Sequence, residues 1–169
     1  MPNCSSDTLE VSTNTILLIS PRNEDHVSLE NIFRGSHWNL QKARTASDGL
    51  KIIRRSRNKI PVVICEHRLP DGDWKSLLAE LELASVQPSL IVCSRLADER
   101  LWVEVLNLGA YDLLLCAPFV REEVLRVTES AWLAWNSTTR PSEVQRRVPG
   151  IARSPVHDGA MVLAAGGSL

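Results

Sequence analysis

Glu66, Ser94 and Cys116 each close a short, almost wholly apolar run, and Ser20 and Pro21 close another. A carboxylate, a hydroxyl and a thiol at such positions offer cation ligation, hydrogen-bond switching or thiol redox chemistry. Cys65 and Cys93 stand one residue before Glu66 and Ser94, so the thiols share that neighbourhood. Zinc requires thiolates that converge on one point, and two of these side chains are expected beside the pocket, not in it. Cysteines in such strands otherwise behave as small buried hydrophobes. The turn after the first run reads Ser20-Pro-Arg-Asn-Glu24, without the glycines of a phosphate loop or a dinucleotide fingerprint. A flavin-phosphate cradle of Ser, Thr and Gly is missing as well.

The elements that place these residues follow a regular beat. Residues 15–20, 61–66, 89–94 and 112–116 are β-branched and nearly unbroken in apolarity, as strands covered on both faces are. Residues 39–43 are more polar and suit an edge strand. Between them lie stripes at helical spacing: Leu29, Ile32 and Phe33 after Glu24 and Asp25; Trp74, Leu77, Leu78 and Leu81 after Asp73; Leu101, Val105 and Leu108 between Asp98 and Gly109. A helix over 47–56 and another over 120–136, lined by Val124, Val127, Ala131 and Trp135, complete the set. Asp73 and Asp98 read as N-caps, and Glu24 and Asp25 as partners of a helix dipole. Five strands alternating with helices predict a doubly wound α/β sandwich with right-handed crossovers, whose ligands bind outside the carboxyl ends of the strands.

The chain has 169 residues, of which 44% are hydrophobic and 23% charged, which excludes full disorder. Nineteen Lys and Arg against twenty Asp and Glu give a net charge of -1, without the basic excess that a nucleic-acid binder carries. That balance hides two poles. Lys42, Arg44, Lys51, Arg54, Arg55, Arg57 and Lys59 face only Asp48 across the 42–59 stretch, whereas acids dominate from Glu66 to Glu104. The polar start is not a signal peptide, and no apolar run is long enough to cross a bilayer. The four cysteines, Cys4, Cys65, Cys93 and Cys116, lack finger spacing, so free thiols in a reducing cytoplasm are expected. Residues 1–14 are expected to be a flexible lead-in and 137–169, with Pro141, Pro149, Pro155 and several glycines, a flexible tail too short for a further domain. Within it, 160–165 is apolar and short.

The order of these pieces resembles the receiver domain of two-component response regulators over residues 15–136. Glu66-His-Arg-Leu-Pro70-Asp-Gly72 is similar to the loop after the family's phospho-accepting aspartate. Ala46-Ser-Asp-Gly49 resembles the lead-in to its second helix, and Gly109-Ala-Tyr-Asp112 with Pro118-Phe119 the surroundings of its last strand. The resemblance implies a flavodoxin-like, doubly wound five-stranded parallel sheet of order 2-1-3-4-5, a three-layer sandwich with two helices on one face and three on the other. It also implies a site that has been taken apart. The two metal-holding acids are Ser20 and Pro21, the phospho-acceptor place is Glu66, and the lysine place is Ala117 or Cys116, depending on whether Pro118 or Gly109 is the anchor. The switch hydroxyl is kept as Ser94. Phosphoryl transfer in this family needs magnesium and lysine, so the resemblance is to a pseudo-receiver with no catalytic residues, no cofactor and no metal.

Glu66 has two readings: a permanent charge that imitates an aspartyl phosphate and holds Ser94, or a relic. Trp102, Tyr111 and Trp132 belong to the fourth helix, fifth strand and fifth helix, the surface receivers use to dimerise or meet effectors. They are interface candidates or core residues. The function expected is a stand-alone, cytoplasmic, non-enzymatic signalling module of a two-component or phosphorelay system. It would act through a histidine kinase, regulator, effector or second copy of itself. The alternatives are a receiver phosphorylated at an atypical site and a redox sensor built on Cys65, Cys93 and Cys116.

Overall fold

Four nearly unbroken apolar segments and one more polar edge segment come together as one parallel sheet, the apolar ones because they carry no polar face for solvent. The computed structural model describes residues 14–57 and 59–139. The strands are β1 (Asn14–Ile19), β2 (Trp38–Ala43), β3 (Val62–Glu66), β6 (Ser89–Ser94) and β7 (Asp112–Leu115), in the order β2-β1-β3-β6-β7. Counting sheet strands alone, this is the expected 2-1-3-4-5 order. The unforeseen β4 (Arg68–Leu69) and β5 (Gly72–Asp73) form a small antiparallel ribbon in the loop after β3.

The helices are α1 (Asn23–Phe33), α2 (Ala46–Arg55), α3 (Trp74–Glu82), α4 (Glu99–Asn107) and α5 (Arg121–Thr139). One sheet face, with Leu17, Ile19, Val63 and Val92, packs against Ile53 of α2, Leu77 and Leu81 of α3, and Leu101 and Val105 of α4. The other, with Ile16, Leu18, Ile64 and Ile91, packs against Leu29 of α1 and Val124 and Val127 of α5. Alternate residues of each strand thus enter opposite layers, so both faces are dry. Leu108, expected in the α4 stripe, is instead half exposed, because the helix ends at Asn107 and Leu108 is its C-cap.

Helix starts are set by short-range bonds. Asp73 accepts the Ser76 N–H at 2.9 Å, Asp98 that of Leu101 at 2.8 Å, and Thr45 that of Asp48 at 3.1 Å. Asp71, in the loop after β3, accepts the Ala46 and Ser47 N–H groups at 2.9 Å, tying that loop to the start of α2. At the other end, α5 continues through Ser137, Thr138 and Thr139, into the segment expected to be tail. Their hydroxyls donate to the carbonyls four residues back at 2.8, 3.0 and 2.8 Å. The rest of the expected tail, the apolar 160–165 stretch and Cys4 lie outside the described residues.

Gly49 is where α2 comes closest to the sheet. A Cβ there would stand 2.9 Å from Cγ1 of the fully buried Ile19. Gly49→Ala should therefore cost about 1–3 kcal/mol by overpacking, despite alanine's better helix propensity. Urea unfolding measures this, and a variant as stable as the parent would mean that Ile19 moves aside freely.

Candidate functional site

The strand order reverses at β1, between β2 and β3, so a crevice opens above the carboxyl ends of β1 and β3. Ser20 follows β1 and Glu66 ends β3, and both are buried. The Ser20 hydroxyl donates to Asp25 Oδ2 at 2.6 Å, and Asp25 itself is only 3% exposed. Glu24 points outward, but Asp25 turns into the crevice. It is thus a member of the site, not the helix-dipole partner that its place in the first turn of α1 suggested.

The residue that organises the crevice is Arg95, directly after β6. Its Nη2 donates to Asp25 Oδ1 at 2.8 Å and its Nη1 donates to Glu66 Oε2 at 2.9 Å. Glu24 lies 3.8 Å from the same guanidinium. One cation therefore bridges two buried carboxylates brought from α1 and β3. Burial raises the Glu66 pKa and the Asp25 charge raises it further, with Arg95 pulling the other way. A cleft of about 290 Å³, lined by Pro21, Arg22, Glu66, His67, Ser94, Arg95 and Leu96, leads to this group.

Ser94 lies beside Glu66 in the sheet but is not its partner. Its Oγ accepts the Leu96 N–H at 3.2 Å, and the Glu66 carboxylate is taken by Arg95, with the Cys116 thiol 3.9 Å away. The expected Glu66–Ser94 bond is thus replaced by the Glu66–Arg95 pair, because a guanidinium one residue further along outcompetes a hydroxyl for a charged acceptor. The peptide bond Ala117–Pro118 is cis, and Ala117 is exposed, whereas Cys116 is fully buried. No lysine enters from this strand end. Pro21 is half-buried at the cleft rim and donates nothing.

The cysteines divide by strand parity. Cys65 faces the α2–α4 layer, whereas Cys93 and Cys116 face the α1–α5 layer and lie beside Glu66. The expectation that two of the three thiols would sit apart from the pocket is corrected to one, Cys65. The interface candidates divide too. Trp102 is 47% exposed on α4, beside exposed Val103 and Leu106. Trp132 packs edge-on against Trp38, centroids 6.2 Å apart, and Tyr111 is half-buried against the same layer.

A magnesium ion asks for several fixed, hard oxygen ligands. Here Ser20 and Pro21 offer no carboxylate, and the two carboxylates present, Asp25 and Glu66, are already bridged by a guanidinium. The residues do not fit that ion.

No protein-family model matches the sequence, and no curated protein matches it. Solved structures do match, and they are response-regulator receiver domains. The receiver domain of an HD domain-containing protein from Pseudomonas fluorescens Pf-5 superposes with a TM-score of 0.68 at 22% identity, over 78% of this chain and 95% of that one. A receiver domain protein from Clostridium thermocellum gives 0.63 at 19%, over 71% and 94%. The CheX-CheY-BeF3-Mg+2 complex from Borrelia burgdorferi gives 0.63 at 20%, over 70% and 88%. This chain has the receiver fold.

Removing the bridge leaves two buried carboxylates without a counter-charge, so Arg95→Ala should lose about 3 kcal/mol of unfolding free energy near neutral pH. The pH dependence has a definite sign. A carboxyl whose folded pKa is raised binds more protons folded than unfolded, so its charge costs less as pH falls through that pKa. The Arg95→Ala deficit should shrink as pH falls from neutrality into the acid range. Denaturant melts across that range check it; equal stability at every pH would remove Arg95 from the energy balance.

Proposed function

We propose that the chain is a receiver-fold signalling module of a two-component or phosphorelay system that works without phosphoryl transfer and is not an enzyme. The observation that carries this reading is the Arg95 bridge. The crevice where a receiver would gather a metal and a phosphoryl group is filled by a side chain of the protein, bonded to Asp25 and Glu66. The charge that a phosphorylated aspartate and its metal would bring is already balanced internally, so the loop after β6 is held in one position. The output is a protein–protein contact with a kinase, regulator, effector or second copy.

The surface best suited to that contact is the outer face of α4, where Trp102, Val103 and Leu106 are exposed at one helical spacing. β7, the sheet edge beside α4, adds the exposed Leu115. Nucleic acid is disfavoured as a partner: Lys51 is paired with Asp48 and Arg54 with Glu80 on the basic second helix. No helix among the described residues is long and apolar enough to cross a membrane. A peroxide-type thiol sensor is also disfavoured, because the neighbouring Cys116 and, after it, burial raise the Cys93 thiol pKa well above its usual value, which leaves little thiolate.

Acetyl phosphate with magnesium should leave the protein unlabelled by intact mass. A stable, hydroxylamine-sensitive phosphoryl adduct would return it to the phosphorylated receivers.

The two tryptophans separate contact from packing. Trp102→Ala should weaken self-association or partner binding by about 2 kcal/mol, roughly 30-fold, without lowering thermal stability. Trp132→Ala should do the reverse. Sedimentation and melting curves on both variants decide it, and a Trp102 variant that associates normally would move the interface elsewhere.

A further inference from the structure

Cys93 and Cys116 sit at the ends of neighbouring parallel strands, both fully buried and both facing the α1–α5 layer. Glu66 ends the next strand in. Cys93 Sγ, Cys116 Sγ and a Glu66 carboxylate oxygen all lie within 4.8 Å of one another. Cys116 Sγ is 3.9 Å from Glu66 Oε2. Around a tetrahedral zinc ion, ligand atoms stand ~3.5–3.8 Å apart, so contraction by at most about 1.3 Å would bring these three onto one ion.

We propose that Cys93, Cys116 and Glu66 form a binding site for a thiophilic divalent cation of the zinc class. Two soft sulfur donors with one carboxylate select zinc, cadmium or cobalt over magnesium and calcium. Three protein ligands leave a fourth position for water, and the cleft that Glu66 lines is the ion's approach route. Charge favours the exchange. One divalent cation enters as two thiol protons leave for solvent, so the summed charge of the thiols, Glu66, Asp25 and Arg95 does not change. Arg95 keeps its bond to Asp25 and lies 4.0 Å from Cys116 Sγ, where it offsets the negative excess of two thiolates and a carboxylate on one ion. Cys65, on the opposite face of the sheet, takes no part.

This site is independent of the signalling reading, because phosphate labelling and metal loading are read separately. The test is titration of the chelator-treated full chain with cobalt(II), followed by zinc. The expected result is a sulfur-to-cobalt charge-transfer band in the near ultraviolet that saturates at one equivalent and is bleached by one equivalent of zinc. Cys4→Ser and Cys65→Ala should keep the band. Cys93→Ala and Cys116→Ala should abolish it, and Glu66→Gln should weaken cobalt binding at least about tenfold. Circular dichroism verifies each fold, and Cys116→Ser replaces any alanine variant that fails to fold. No band in the parent chain, a band that survives in the folded Cys116 variant, or one lost with Cys4 or Cys65 would overturn the proposal.

Discussion

Two carboxylates that are both ionised in a buried crevice need a cation between them, and Arg95 is that cation. Leaving either charge unpaired costs several kcal/mol, a sizeable part of the stability of a small domain. The bridge therefore does more than fill space. It joins the first turn of α1, through Asp25, to the end of β3, through Glu66, and pins the loop after β6 over both. Ser20, directly after β1, adds a third bond by donating to the remaining Asp25 oxygen. Asp98, three residues beyond Arg95, caps α4.

The sheet explains why every polar decision falls at strand ends. All five residues of β3 are buried, as are the last five of β6, and alternate side chains enter opposite dry layers. A carboxylate in mid-strand would have no water and no partner. At the last strand residue, a loop side chain reaches over and satisfies it. Strand parity then sorts the thiols without regard to chemistry. Cys93 and Cys116 fall on the layer shared with α1 and α5 and approach Glu66, whereas Cys65 faces away.

Much of this architecture was legible because its causes are local. Unbroken β-branched runs announce parallel strands, and Asp73 and Asp98 announce helix starts three residues ahead of the N–H groups that they accept. The site was legible only as positions. Ser20, Glu66, Ser94 and Cys116 can be placed at strand ends from periodicity, but Arg95 meets Asp25 across 70 residues of sequence and Glu66 across 29. Its one signal was an arginine directly after Ser94 in an acid-rich stretch. For Trp132 the sequence left interface and core both open, because the ring it packs edge-on against, that of Trp38, comes from the facing edge strand. Hydroxyls that extend α5 past Asn136 were visible as residues, yet they looked like the beginning of a polar tail.

Replacing Ser94 by Arg95 as the partner of Glu66 changes what kind of switch the fold can hold. A hydroxyl bonded to a carboxylate contributes roughly 1.5–3 kcal/mol, which biases two loop positions by about 10- to 100-fold. A loop held by that bond alone would still visit its other position often. Arg95 makes two such bonds, to carboxylates on different elements, and withdrawing it breaks both together. The withdrawn position is therefore much rarer. A ligand that acts here has to replace those bonds in kind. A phosphoryl group brings negative charge to a crevice that already holds the Asp25 and Glu66 carboxylates and whose bridging guanidinium is engaged by both. A cation taken up by Glu66 and the two thiols answers the negative charge instead, and leaves Arg95 its bond to Asp25.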